Sequence, residues 1–222
     1  MIRSDAILEI KRGLGYRTTQ DTTIISALQE AQRVLELGHT LPNWLITYDE
    51  AITVTADSAS ITLPARFIRF HDDYSLYYTN SDAARVFIPR RNYTEAYQAY
   101  VASGEADASD VSTDTSGGYP SVVVARNKTT AILIPTPTVG FTAYLSFYQG
   151  ALVLDGDIEN AWLFNAPDVL IGMAGMRCAG IVRDKGAMEQ FSQRANMGGK
   201  SLMGDIIEDE IAGRGLIMGR NN

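Results

Sequence analysis

The chain has 222 residues but a single cysteine, Cys178, and only two histidines, His39 and His71. One sulfur can build neither an intrachain disulfide nor a thiolate metal cage. The sequence holds no His-Glu-x-x-His and no Gly-x-Ser-x-Gly, so zinc-protease and serine-elbow chemistry have no carrier. No apolar run reaches about 18 residues, so no transmembrane helix is expected. The beginning, Met1-Ile-Arg-Ser-Asp-Ala, has Asp5 and Glu9 early and no apolar stretch, and is not expected to be a signal peptide.

A basic excess is missing as well. The net charge is -7, and residues 40–160 hold all of that excess, with seven basic against fourteen acidic side chains. Proteins that grip nucleic acid gain affinity by neutralising phosphates, and need the opposite balance. This chain is expected to repel a DNA backbone that it meets.

What is present is a change of period. Ser4 or Asp5 can cap a first helix carrying Ile7, Ile10 and Leu14 on one face. A second follows Thr19 or Asp21, with Ile24, Leu28, Ala31 and Leu35 at helical spacing, and stops at Gly38. From Trp44 the period is two. Strands are predicted at 52–55, 60–63, 76–79, 85–88, 119–125, 130–134 and 141–148, with a hairpin over Arg126-Asn-Lys128. A short helix is predicted from Asn92 to Val101, followed by an acidic Ser/Thr/Gly-rich loop over 102–118. After the turn Asp155-Gly-Asp157 the helical period returns. Asn165 can cap, Pro167 suits a first turn, and 169–185 is rich in glycine and alanine.

The predicted fold is therefore α+β. A helical bundle forms from N-terminal helices in 1–43 and C-terminal helices in 158–212, with a β-sandwich-like block of short strands inserted over 44–157. Residues 213–222 are expected to form a flexible tail.

Candidate chemistry is sparse. His71-Asp-Asp73 could open a metal site for a metal-dependent enzyme, but the other histidine is remote, and a solvated strand end is the simpler reading. Cys178 sits mid-helix among small residues, as an inert buried thiol does. Asp107, Asp110 and Asp114 lack the alternate spacing of an EF-hand loop. Gly213-x-Gly215-x-x-x-Gly219 follows an acidic helix instead of a strand, so it is no dinucleotide loop. Tyr74, Tyr77, Tyr78, Tyr93, Tyr97 and Tyr100 gather in the middle of the chain. Core or subunit-interface packing accounts for them best, with a carbohydrate-binding or host-contact tail module as the alternative.

Three stretches carry a resemblance. The first is the helix ending at Leu37-Gly38 with Leu41-Pro-Asn-Trp44 and then strands. The second is Ile61-Thr-Leu-Pro64 with Ala65-Arg-Phe67. The third runs from Gly118-Tyr-Pro120 through Ile134-Pro-Thr-Pro137 and Tyr144-Leu-Ser-Phe-Tyr148 to Asn160-Ala-Trp-Leu-Phe-Asn165, Pro167-Asp168 and a small-residue helix with Arg183-Asp184. In this order they resemble the head-to-tail adaptor proteins of tailed phages, the short-tailed type in particular.

The resemblance implies a structural virion protein at the head–tail junction, made in the bacterial cytoplasm. Its partners would be the portal protein, tail or nozzle proteins, and copies of itself in a ring, usually of twelve. DNA would be passing cargo only. No cofactor, catalysis or membrane is implied. Two site expectations follow. Asp49, Asp57, Asp72, Asp73, Asp155 and Asp157 are candidates to line the DNA channel, where repulsion lets phosphates slide. The segment with Arg214, Leu216, Ile217, Met218 and Arg220 is a candidate to order on a partner, most simply a portal groove.

Overall fold

A computed structural model describes residues 1–17, 20–38, 40–102 and 118–218. The elements, in chain order, begin with α1 (Arg3–Gly13), α2 (Asp21–Glu36), β1 (Ile46–Val54) and β2 (Ser60–Thr62). They continue with β3 (Phe67–Phe70), β4 (Leu76–Thr79), β5 (Arg85–Ile88), α3 (Tyr93–Ala102) and β6 (Val122–Ala125). β7 (Thr130–Ile134), β8 (Phe141–Gln149), α4 (Ala161–Asn165), α5 (Pro167–Ile181) and α6 (Lys185–Met218) complete the chain. Two units result, Met1–Leu45 with Gly150–Asn222, and Ile46–Gln149. The architecture is α+β, with strands inserted between helical ends.

In the helical unit α5 packs on α6, α2 and α1. The α5–α6 contact is close because glycines lie in it. A Cβ on Gly172 would sit 2.6 Å from the Ala195 backbone nitrogen, and one on Gly198 would sit 2.9 Å from Asp168 Cβ. Arg194 of α6 ties three helices together, reaching Glu9 of α1 and Asp168 of α5, each at 2.7 Å. The first and last helices thus meet, as the sequence order predicts.

The caps differ from expectation. Ile2, not Ser4 or Asp5, is the N-cap of α1, and its N–H donates to the Asp5 carboxylate at 3.3 Å. The Ser4 N–H is taken by Asp157 at 2.9 Å. Asn165 does not cap α5 but donates back to the Ala161 carbonyl at 3.0 Å. The capping asparagine is Asn160, whose Oδ1 accepts the Trp162 and Leu163 N–H groups and opens α4. His39 and Thr19 lie outside the described residues, as do 103–117 of the acidic loop.

Past Gly213, where a flexible tail is expected from the sequence, the α6 backbone continues to Met218. Glycine costs a helix about 1 kcal/mol. Extending an existing helix still forms one hydrogen bond for each residue ordered, so a long nucleated helix can run through several glycines.

The β unit contains two antiparallel sheets. One has the order β1-β8-β4-β5, with β3 also paired to β8, and the other has the order β2-β7-β6. Alternation puts Ile52, Val54, Leu76, Tyr78, Ile88, Leu145 and Phe147 of the first sheet into one core with Ile61, Val123 and Leu133 of the second. That shared core is sandwich-like. The hairpin β6–β7 forms with Ala125 opposite Ala131, over the turn read from the sequence. Strand β3 escaped prediction because it holds four residues and breaks alternation, with Phe67 and Phe70 both buried.

Candidate functional site

Three places could carry function: the channel carboxylates, the rings of the β unit and the carboxyl-terminal segment. The six carboxylates have different surroundings. Asp49 occupies a β1 bulge with φ of +54°, a region aspartate tolerates, and its N–H donates to Ser146 Oγ at 3.4 Å. Its carboxylate lies 3.7 Å from Arg85. Burial first, then the neighbouring Asp49 carboxylate, raise the Tyr77 phenol above its ordinary value.

Asp72 forms an Asx turn, with Oδ1 accepting the Tyr74 N–H at 2.7 Å, and Oδ2 lies 3.4 Å from His71 Nδ1. Asp73 pairs with Arg90 at 3.4 Å. Asp157 holds Ser4 as described. Asp57, exposed with φ of +59°, and Asp155, exposed in its turn, have no side-chain partner among the described residues. Four of the six therefore have local structural work, which sequence position alone could not reveal.

His71-Asp72-Asp73 does not gather ligands. Among the described residues no three or more His, Cys, Asp or Glu side chains group as a metal site would require. His71 instead lies against Tyr48 and Tyr148, with ring centroids 6.0 and 5.7 Å away. Cys178 is buried, and burial raises its thiol above the ordinary value. A cleft of about 410 Å³ beside the start of α3 is lined by Asp73, Arg90, Arg91, Asn92 and Glu95. It mixes both charges and already pairs Arg90 with Asp73.

The tyrosines separate into two populations. Tyr78 faces the core and stacks parallel on Tyr119 at 4.4 Å. Tyr77 faces the other way, in a cross-strand ladder running Phe87–Tyr77–Tyr144 with centroid spacings of 5.7 and 5.3 Å. Tyr74 meets Phe87 edge-on, and Arg85 lies 4.6 Å over Tyr77. Tyr48, Tyr74 and Phe87 are largely exposed, so this outer face of the β1–β8–β4–β5 sheet presents rings to solvent. Phe87 and Tyr48 were not singled out in the sequence, and Tyr144 and Tyr148 only as the ends of a strand motif. The signal was the strict alternation of Phe141-Thr-Ala-Tyr-Leu-Ser-Phe-Tyr148, which sends Tyr144 and Tyr148 to the face opposite Leu145 and Phe147. Tyr93 is exposed at the start of α3, while the side chains of Tyr97 and Tyr100 lie outside the described residues.

The side chains of Arg214, Leu216, Ile217 and Met218 also lie outside the described residues, as does Arg220 altogether. The backbone of 214–218 is helical. A family model, that of the SU10 adaptor protein, matches residues 1–217, which spans both units. The chain belongs to the SU10 adaptor protein family. No curated protein matches it.

A phage adaptor is a structural virion protein, and the fold reads sensibly in that light. No helix among the described residues is long and apolar enough to cross a membrane. The most elaborate polar cluster of the adaptor is architectural. Glu36 Oε1 accepts from Gln32 Nε2 and the Ala151 N–H, each at 2.9 Å, and from Trp162 Nε1 at 3.3 Å. Asn160, fully buried, donates to Gln32 Oε1 at 3.0 Å and to the Leu152 carbonyl at 2.6 Å. These bonds fasten the segment leaving β8 onto α2, and that segment belongs to the helical unit from Gly150 on.

Proposed function

We propose that this adaptor is a ring component at the head–tail junction, binding below the portal, extending the DNA channel and docking tail proteins. The observation that carries the proposal is the family match over residues 1–217, which leaves neither unit for an unrelated activity. Twelve copies is the ring size that the resemblance favours. The exposed rings of the sheet face support docking of a protein partner, since aromatic residues concentrate at such interfaces. The reading is non-catalytic.

The isolated protein is expected to be monomeric or weakly associated, with ring interfaces completed on the portal template. Sedimentation of the protein alone and with its portal tests this. Comigration with the portal, and slow sedimentation without it, are expected. A stable ring formed without portal contradicts the template step, and no comigration contradicts the assignment.

Asp49, Asp57, Asp72, Asp73, Asp155 and Asp157 are proposed to approach the channel, with Asp57 the best placed because its charge is not paired locally. A density map of the assembled ring decides this. Carboxylates confined to the outer rim rule it out.

A further inference from the structure

The chain's excess of seven carboxylates sits in two short stretches: Glu105, Asp107, Asp110 and Asp114, outside the described residues, and Asp155, Asp157 and Glu159. Apart from these, the basic and acidic side chains are equal in number. The second stretch is held in a fixed path. The Ala151 and Leu154 carbonyls accept from Gln32 and Gln29 of α2 at 3.2 and 3.4 Å, and Asn160 closes the far end. Ala151 and Leu154 are buried beneath the path, which turns the side chains between and beyond them outward. Leu152 is 44 %, Val153 55 % and Ile158 41 % exposed.

Two of the three charges on this path are unpaired among the described residues. Asp157 is engaged by the Ser4 N–H and lies 3.9 Å from Arg3, whereas Asp155 and Glu159 have no ion pair among the described residues. No lysine or arginine lies between Gly150 and Asn160. Three aliphatic side chains and two unpaired carboxylates thus stand on a preformed backbone. Preorganisation lowers the entropy cost of docking a partner there. The chemistry that fits is a short segment with aliphatic residues between cations. The chain holds such a segment: Arg214-Gly-Leu-Ile-Met-Gly-Arg220 brackets three aliphatic residues with two arginines and has no carboxylate.

We propose that residues 214–220 of one copy dock on residues 151–159 of a second copy, the arginines against Asp155 and Glu159 and the aliphatic trio over Leu152, Val153 and Ile158. The proposal rests on the ring reading and names which surfaces of neighbouring copies meet. It gives the carboxyl-terminal segment a destination other than the portal.

Charge reversal in the full-length protein separates the two destinations. One variant is Asp155→Arg with Glu159→Arg, the other Arg214→Glu with Arg220→Glu, and association is followed by sedimentation at low salt. Wild-type copies are expected to associate weakly, and about tenfold less when salt is raised from about 0.01 M to about 1 M, where screening shortens from about 30 to about 3 Å. Each variant alone should lose the association, and an equimolar mixture of the two should regain it. A wild type that stays monomeric up to about 1 mM overturns the proposal. So does a mixture that fails to restore association while each variant keeps its native melting transition. If only portal binding is lost in the arginine variant, the segment docks on portal; the pairing of copies is then wrong and the ring reading stands. If wild-type protein shows no portal binding either, the ring reading fails with it.

Discussion

The helical unit and the β unit are stabilised in opposite ways. In the helical unit polar groups do part of the holding: buried Asn160 and Gln32, with half-buried Glu36, fasten a crossing segment, and Arg194 bridges Glu9 and Asp168 nearer the surface. Glycines remove side chains so that α5 and α6 can touch. In the β unit the interior is apolar, formed from the inward faces of two sheets, and the ion pairs Asp49–Arg85 and Asp73–Arg90 lie on the surface beside exposed rings. The helical unit is thus sensitive to small steric and polar changes at a few positions. The β unit should be tolerant on its outer face and sensitive only within its shared core.

Glycine contacts offer the largest test of that contrast. Gly172→Ala would drive a methyl against the Ala195 backbone, which has no rotamer to yield, and should destabilise by about 3 kcal/mol. Gly198→Ala, close to Asp168 Cβ and the Val169 nitrogen, should cost about 1–3 kcal/mol. Its neighbour Gly199 has open space at its Cβ position, so Gly199→Ala should stabilise the helix by up to about 1 kcal/mol. Denaturant midpoints of the three variants check both signs. Equal effects at 198 and 199 would mean that the α5–α6 contact is not close.

Asn160→Ala is the next largest. It strips the α4 cap and leaves Gln32 Oε1 and the Leu152 carbonyl without their donor, for a loss of about 2–3 kcal/mol by chemical denaturation. An unchanged midpoint would mean that the segment after β8 is held by apolar contacts alone.

Much of this architecture was legible in the sequence, for identifiable reasons. Strands β4 and β5 and the β6–β7 hairpin were found because alternation and turn residues act locally. The α5–α6 contact was foreshadowed by the small residues of 169–185, Gly172 and Gly175 among them. The Asn160 network was not, because Gln32 and Asn160 are far apart in sequence and nothing local marks them as partners. Nor were the local partners of Asp49, Asp72, Asp73 and Asp157, which depend on a bulge, turns and distant backbone. The candidate channel residues were chosen by charge, and charge alone does not tell a helix-end acceptor such as Asp157 from an unpaired carboxylate such as Asp155.

A pH series gives a smaller effect, shared between the units. The phenols of Tyr77 and Tyr78 and the thiol of Cys178 are all raised, chiefly by burial. The folded chain therefore binds these protons more tightly than the unfolded chain. Their contribution is fully present below the unfolded-state values, about 8.5 for a thiol and about 10 for a phenol, and is lost as pH rises through the higher folded values. Stability should fall as pH rises past about 8.5 and further past about 10, and Tyr77→Phe should flatten part of that fall. A fall no different in Tyr77→Phe would remove Tyr77 from the account. The smallest effect is expected on the outer sheet face, where Phe87→Ser should shift stability by less than about 1 kcal/mol. A larger loss would show that the face is part of the core.

Electron-microscope images of the protein mixed with its portal decide whether this structural adaptor completes its ring there. Portal rings that carry one added ring of this chain are expected, with the protein alone showing none. Bare portal rings beside unattached protein, at concentrations where both are folded, would contradict it.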